Sequence, residues 1–348
     1  MSAVENLVVE PPQHRVSISN LRGPILRRVS RSFYLSIFLL PKKLRDPVAL
    51  GYLLARASDT IADTAELPIE LRVEKLQLLA TATQGEGLDG AINDLIAAVA
   101  PLQKNESERG LIETLQPTLD WLEQSDLFNR QELRAVLEKI HRGQILDLER
   151  FRDPKQIFAL ETAADLDEYT YLVAGSAGEF WTRLCFHYLR KFSLRGETEM
   201  LKLGKRYGQG LQLINILRDA GNDLRAGRCY FPNDELVNVA MEPSQIIRES
   251  QRFRPIYRQW HQKAEQGIKA GIDYSLATRN RRVRIATVLP ALIGARTLAL
   301  LREAGATVLH RHIKVPRKEV RAIMTSLTSS LGSRSRIETL YRELGSVD

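Results

Sequence analysis

The chain has 348 residues, 44% apolar, 26% charged and 7% aromatic, with 50 Lys and Arg against 42 Asp and Glu for a formal charge of +8. That composition buries a large core and excludes a mostly disordered chain. Its two cysteines, Cys185 and Cys229, exclude a disulfide framework and a four-thiolate zinc site. The charge favours nucleic acid, phospholipid headgroups or phosphorylated small molecules without choosing among them. With no charged-apolar-small leader at the start, a reducing, cytosolic setting is expected.

In chain order, residues 1–20, with Pro11-Pro12, read as a flexible tail. From Leu21 onward apolar residues recur at i, i+3, i+4 and i+7, which predicts an all-α protein. Helices are expected near 25–39, 47–64, 68–83, 88–102, 107–124, 131–149, 165–192, 197–224, 243–250, 255–274, 281–304 and 317–331. Turn signals at Pro41, Gly85 to Gly87, Pro154, Gly227 and Pro232 separate them. None is a long linker, so 21–348 is expected to form a single helical domain. The apolar run 285–301, with Pro290 and Arg296 in it, falls short of the roughly 20 residues that cross a bilayer and reads as a buried helix.

Two polar stripes stand out on otherwise apolar helices. Tyr52, Arg56, Asp59 and Asp63 share one helical face, and Gln212, Asn215, Asp219 and Asp223 share another. Each stripe contains D-x-x-x-D. An exposed acidic face would be bordered by Lys, Glu and Gln; here the neighbours are Leu, Ile and Ala. Two carboxylates about 4 Å apart repel by roughly 4 kcal/mol at an effective dielectric of 20, so a cation must sit between them. Oxygen-only ligands suit Mg²⁺, with Mn²⁺ as an alternative, bridging carboxylates to substrate phosphates. The pattern predicts a diphosphate held between two facing helices by metal ions at Asp59, Asp63, Asp219 and Asp223. Arg56, Arg218 and Arg228 would stand at its rim, where a planar fork forms paired bonds to phosphate.

These residues carry a family resemblance. The sequence resembles the squalene/phytoene synthases, the head-to-head prenyl transferases, through Ser30-Arg-Ser32-Phe33, the Tyr52 to Asp63 stripe, Tyr169-Thr-Tyr-Leu-Val-Ala-Gly175, the Gln212 to Asp223 stripe and Gly227-Arg228-Cys-Tyr-Phe-Pro232. The resemblance implies a single isoprenoid-synthase helical bundle around a central cavity, two farnesyl diphosphates as substrates and Mg²⁺ on the two aspartate pairs. Its motifs lie nearest squalene synthases, which form presqualene diphosphate and reduce it with NADPH. Phytoene and dehydrosqualene synthases, which use no reductant, are the alternative, and a non-catalytic assembly factor on the same fold is a remote one. Many relatives carry another carboxylate where Ala62 and Asn222 stand, so each metal site here is one charge poorer.

Tyr169 would orient diphosphate, assist proton transfer or steady a cation with its ring, with Tyr171 as competitor. Tyr52, Arg56 and Arg218 join it as candidate catalytic residues. Ser30, Ser32 and Phe33 are placed over the diphosphate, against ordinary helix positions as the alternative. Gln212 and Asn215 would support the second metal site. Ala174, Gly175 and Gly178 would let a prenyl chain lie on the backbone, or serve close helix packing. No G-x-G-x-x-G follows a strand, so NADPH would bind without a Rossmann unit; Arg279, Arg281, Arg282 and Arg284 are candidates for its phosphates, against a solvated basic surface. His187, His261, His310 and His312 show no ligand spacing. The basic segment from Arg311 to Arg321 suits transient contact between a cytoplasmic protein and an anionic membrane. No nucleic-acid motif is present, and a monomer or homodimer is expected.

Overall fold

The computed structural model describes residues 16–30, 33–87, 90–153 and 155–345. Of the stretch expected to be a tail, residues 1–15 lie outside this range, while Ser17 caps a short helix, Ile18–Asn20. Helix α1 (Lys42–Ala62) buries Leu50, Leu53, Leu54, Ala57 and Ile61, leaving its polar stripe on the other side. Helices α2 (Ile69–Thr83) and α3 (Leu127–Arg150) pack on it; Asp126 starts α3 by accepting the Asn129 amide at 2.9 Å. A capping box of Thr162 and Asp165 opens α4 (Ala163–Thr170). A π-helical turn, Tyr171–Gly175, follows, and α5 (Ser176–Tyr188) continues the chain. The remaining long elements are α6 (Glu197–Arg225), α7 (Ser250–Ala277), α8 (Arg281–Ala304), α9 (Arg317–Ser329) and α10 (Arg334–Gly345).

The helices form two apolar clusters, one around α1, α2, α3 and α5 and the other around α6, α7, α8 and the C-terminal helices. The α5–α6 contact joins them at very short range. A Cβ on Gly178 would lie 2.0 Å from the Gly204 carbonyl oxygen, and one on Gly208 would lie 2.2 Å from that of Ala174. Close packing therefore accounts for Ala174 and Gly178, and a Cβ on Gly175 would come within 3.3 Å of the Lys205 carbonyl. By length and composition 281–309 is long and apolar enough to span a membrane, but 72% of its apolar window is buried inside the protein.

Several expectations are corrected. The helix expected at 165–192 is broken by the π turn, and that at 107–124 by Thr114, because Pro117 collides with the carbonyl four residues earlier. The helix expected over 243–250 is one 3₁₀ turn, Pro243–Gln245. Helix α10 was not expected; its Arg- and Ser-rich opening conceals an apolar face through which Ile337 and Leu340 are buried. The chain also forms two short strands, β1 (Phe158–Leu160) and β2 (Arg228–Pro232), paired in parallel with Phe158 opposite Arg228 and Ala159 opposite Cys229. Three residues are too few for alternation to show. The pairing pins the segment after α6 and thereby places Arg228 and Tyr230.

Candidate active site

Asp59 and Asp63 occupy the last turn of α1 and its C-cap, whose Asp63 amide bonds the Asp59 carbonyl at 2.9 Å. Gln144 of α3 accepts from the Ser58 hydroxyl and donates to the Asp59 carboxylate, fixing its orientation. Water reaches 49% of the Asp59 side chain, yet burial, then repulsion from Asp63, pushes its pKa up to about 6. An accessible carboxylate that still loses hydration lies in a recess rather than on a convex surface. Arg56 donates to Glu108 at 2.5 Å and stands 3.9 Å from Asp59; burial opposes its charge, but these acids raise its pKa.

The second stripe faces the first through Arg228. Its Nη2 donates to Asp223 at 2.8 Å, and the same guanidinium is the strongest charge counteracting the burial-driven rise of the Asp63 pKa. Burial likewise raises Asp223 against Arg228. Asp147 of α3 joins this group: burial pushes its pKa up to about 6, while its hydrogen bond from Tyr230 at 2.8 Å and the charge of Arg228 pull the other way. Tyr230 stacks on Tyr169 with centroids 5.2 Å apart at 24°. Both phenols are held well above their ordinary pKa, first by burial and then by Asp147, so both are neutral.

Two donors complete the recess. Arg72 of α2 gives Nη1 to the Ala62 carbonyl at 2.9 Å and lies within electrostatic reach of Asp63 and Arg228. The Nε–H of Arg72 and that of Arg228 are both buried without a hydrogen-bond partner. A buried guanidinium donor left unpaired costs about 1–3 kcal/mol or more, and two beside one acidic cluster fit an anionic oxygen ligand.

Other expected residues are engaged elsewhere. Arg218 grips its neighbour Asp219 through two bonds of 3.0 and 2.5 Å, and His312 stands 3.6 Å from the same carboxylate. Asn215 donates to Gln212 at 3.2 Å on the exposed side of α6. The Tyr52 hydroxyl donates to the Val29 carbonyl at 3.2 Å, tying α1 to the short helix Leu26–Ser30. Ser30 is buried and bonds the Leu26 carbonyl at 2.5 Å, as an ordinary helix position would. Ser32 and the side chain of Phe33 lie outside the described residues. Tyr171 donates to Glu179 at 3.1 Å, with the Lys205 ammonium 4.4 Å from its ring centroid.

The expectation for Arg284 is corrected. It is 5% exposed, and its guanidinium donates to the carbonyls of Thr278, Arg279 and Gly332, clasping the end of α7 rather than waiting for a cofactor phosphate. Arg279 donates to the Ser193 carbonyl at 3.1 Å. Arg281 and Arg282 are exposed.

The donor set fits Mg²⁺ of a particular kind. Among the described residues no three His, Cys, Asp or Glu side chains converge to enclose a metal. Paired carboxylates without a closed cage suit an ion that completes its shell with phosphate oxygens and water. Asp59 and Asp63 on one side, and Asp219 and Asp223 on the other, are the residues that would hold it. Gln144, Asp147, Arg72, Glu108 and Tyr230 were missed in the sequence. Only Tyr230 lay in a recognised motif, and the others sit on helices whose sequences carry no acidic stripe.

The chain is thus all-α, with an arginine between its two aspartate-bearing helices and a stacked tyrosine pair beside them. The family model for squalene/phytoene synthase matches residues 26–319, and the chain belongs to that family. It is 33% identical to squalene synthase of Eremothecium gossypii over 60% of this chain and 45% of that protein. It is 25% identical to lycopaoctaene synthase of Botryococcus braunii over 94% of this chain and 69% of that one. The chain thus spans about half the length of several curated relatives it matches. In fold it is similar to TcSQS in complex with BPH1237, with a TM-score of 0.71 at 21% identity over 94% of this chain and 98% of that one. A dehydrosqualene synthase in complex with a ligand aligns with a TM-score of 0.61 at 21% identity, over 90% and 95%.

Proposed function

We propose that the protein joins two farnesyl diphosphates head to head by way of presqualene diphosphate and reduces the product to squalene with NADPH. The observation that carries the coupling chemistry is the pair of unpartnered Nε–H donors on Arg72 and Arg228 beside Asp59, Asp63 and Asp223. These donors and carboxylates together match a metal-bound diphosphate. Bound Mg²⁺ would neutralise charge accumulating on the leaving group. The chain's own groups would act around it: Arg72 and Arg228 bind the diphosphate oxygens, Gln144 orients Asp59, and the Tyr169 and Tyr230 rings present π faces worth about 0.5–2 kcal/mol to a cation. The second prenyl double bond attacks the allylic carbocation, and proton loss closes the cyclopropane.

A non-reductive dehydrosqualene or phytoene synthase is the second reading, favoured by the engagement of Arg284 with backbone carbonyls. Arg284 is committed to those carbonyls and does not fit a cofactor phosphate site, whereas Arg281 and Arg282 are exposed. The test is product identity after incubation with Mg²⁺ and farnesyl or geranylgeranyl diphosphate, with and without NADPH. Squalene formed only with NADPH supports the first reading, and a hydrocarbon indifferent to NADPH supports the second. Absence of any coupled product overturns both.

A further inference from the structure

A cavity of about 500 Å³ opens where the end of α7, the start of α8 and the turn between α9 and α10 meet. Arg281, Arg284 and Arg334 line it with Ser330, Ser333 and Ser335, and no carboxylate does. Arg284 is buried and commits its donors to the carbonyls of Thr278, Arg279 and Gly332, yet no described carboxylate pairs with it. The charges that act on it are of its own sign: burial first, then Arg334 and Arg281, lower its pKa. Arg334 gives its Nε–H to the Leu276 carbonyl at 2.7 Å, and exposed Arg281 has no hydrogen bond or ion pair among the described residues. Three full positive charges therefore face the C-terminal carbonyls of α7, whose dipole supplies only about half a negative charge. A guanidinium taken out of water without a counter-charge is unfavourable, so the cluster lacks an anion.

The rest of the lining suits an oxyanion. Ser333 and Ser335 stand with their hydroxyl oxygens 2.9 Å apart, so one hydroxyl donates to the other, whose own hydrogen is left for the cavity. Ser333 accepts the Ile337 amide at 3.1 Å as α10 begins, and the amides of that first turn have no acceptor within their helix. The turn itself is held in place: Leu331 keeps a left-handed φ of 50°, and Arg284 grips the Gly332 carbonyl at 2.9 Å. We propose that this cavity binds a phosphate monoester dianion on Arg281, Arg334 and the Ser333–Ser335 pair, with Arg284 behind them as a fixed charge. A dianion nearly cancels the excess charge, where a single carboxylate would not, and the guanidinium forks match phosphate oxygens. The cavity shares no residue with the recess around Asp59 and Asp223, so the site stands whether or not the protein couples farnesyl diphosphate.

The phosphate arrives either free in solution or on a lipid headgroup, and two arms separate these sources. In the first, inorganic phosphate is titrated into the full-length protein at constant ionic strength in chloride, and the thermal unfolding midpoint is followed. The wild type should show a saturable rise. Arg281→Met, at an exposed side chain with no partner to lose, should weaken the apparent Kd by about tenfold or more, and Arg281→Lys should recover part of it. Arg228→Met should keep the response, which separates this site from phosphate bound between the aspartate helices. In the second arm the protein is floated with vesicles containing phosphatidic acid or phosphatidylserine at equal charge. Flotation favoured by phosphatidic acid and lost in Arg281→Met assigns the lipid-borne phosphate; a phosphate response lost in Arg281→Met without that preference assigns the free one. Wild type and Arg281→Met that behave alike towards both inorganic phosphate and phosphatidic acid would overturn the site.

Discussion

Asp147 makes a stability prediction that is independent of catalysis. Burial, only partly offset by Tyr230 and Arg228, moves its pKa from 3.8 to about 6. Two pK units at about 1.4 kcal/mol each place roughly 3 kcal/mol of unfavourable free energy in the folded state above pH 7. The sign follows from proton binding: between pH 4 and 6 the folded chain holds a proton at Asp147 that the unfolded chain has released. This contribution to stability therefore rises on acidification through pH 6. By pH 5, about 1.4 kcal/mol should be recovered. Other carboxylates titrate too, some in the opposite direction, as at Asp165, where burial is outweighed by bonds from Thr162 and by Arg150. The wild type must therefore be compared with Asp147→Asn by urea denaturation from pH 5 to 8 in metal-free buffer. Loss of the carboxylate bond to Tyr230 adds an offset that does not vary with pH. The difference in unfolding free energy should shift by about 1.4 kcal/mol in favour of the variant between pH 5 and 8. A difference that stays flat would show that Asp147 is solvated like a surface acid and would remove the argument that it lies in a desolvated recess.

The remaining predictions follow from the same contacts. Arg228→Met leaves Asp223 and Asp63 without their strongest counter-charge and should lower kcat/KM for the prenyl diphosphate by about 10²-fold or more, whereas Arg72→Met should cost about tenfold; both are read from steady-state kinetics at saturating Mg²⁺. Gly178→Ala drives a methyl into the Gly204 carbonyl and should destabilise by about 1–3 kcal/mol or more in the same denaturation assay, with wild-type stability counting against a direct α5–α6 contact. Arg284→Met leaves buried carbonyls unpaired and should lower stability by about 2 kcal/mol or more without altering any response to NADPH, measured by product yield. Vesicles rich in anionic lipid should float the protein at low salt and release it at high salt if the exposed Arg311, Lys314, Arg317, Lys318 and Arg321 meet a membrane; neutral vesicles should not float it.

Local periodicity made much of this protein legible from its residues alone. A stripe at i, i+4, i+7 and i+11 can be read without a structure because the helix repeat is set by the backbone, and Asp59, Asp63, Asp219 and Asp223 declare themselves as the polar positions of apolar helices. Arg228 was also found, since it follows the second stripe by five residues. Which helix faces which is a long-range matter. Asp147, Gln144, Arg72 and Glu108 enter the site only because α1, the helix Glu106–Glu113, α2 and α3 converge there, and no repeat within a single helix encodes that meeting. Tertiary structure also decided which nominated polar groups are free for chemistry. Arg284 has the right residue type in a suggestive run, but the carbonyls of Thr278, Arg279 and Gly332 engage its guanidinium. A buried donor bonds whichever acceptor lies within about 3 Å, and the folded chain alone determines which acceptor that is.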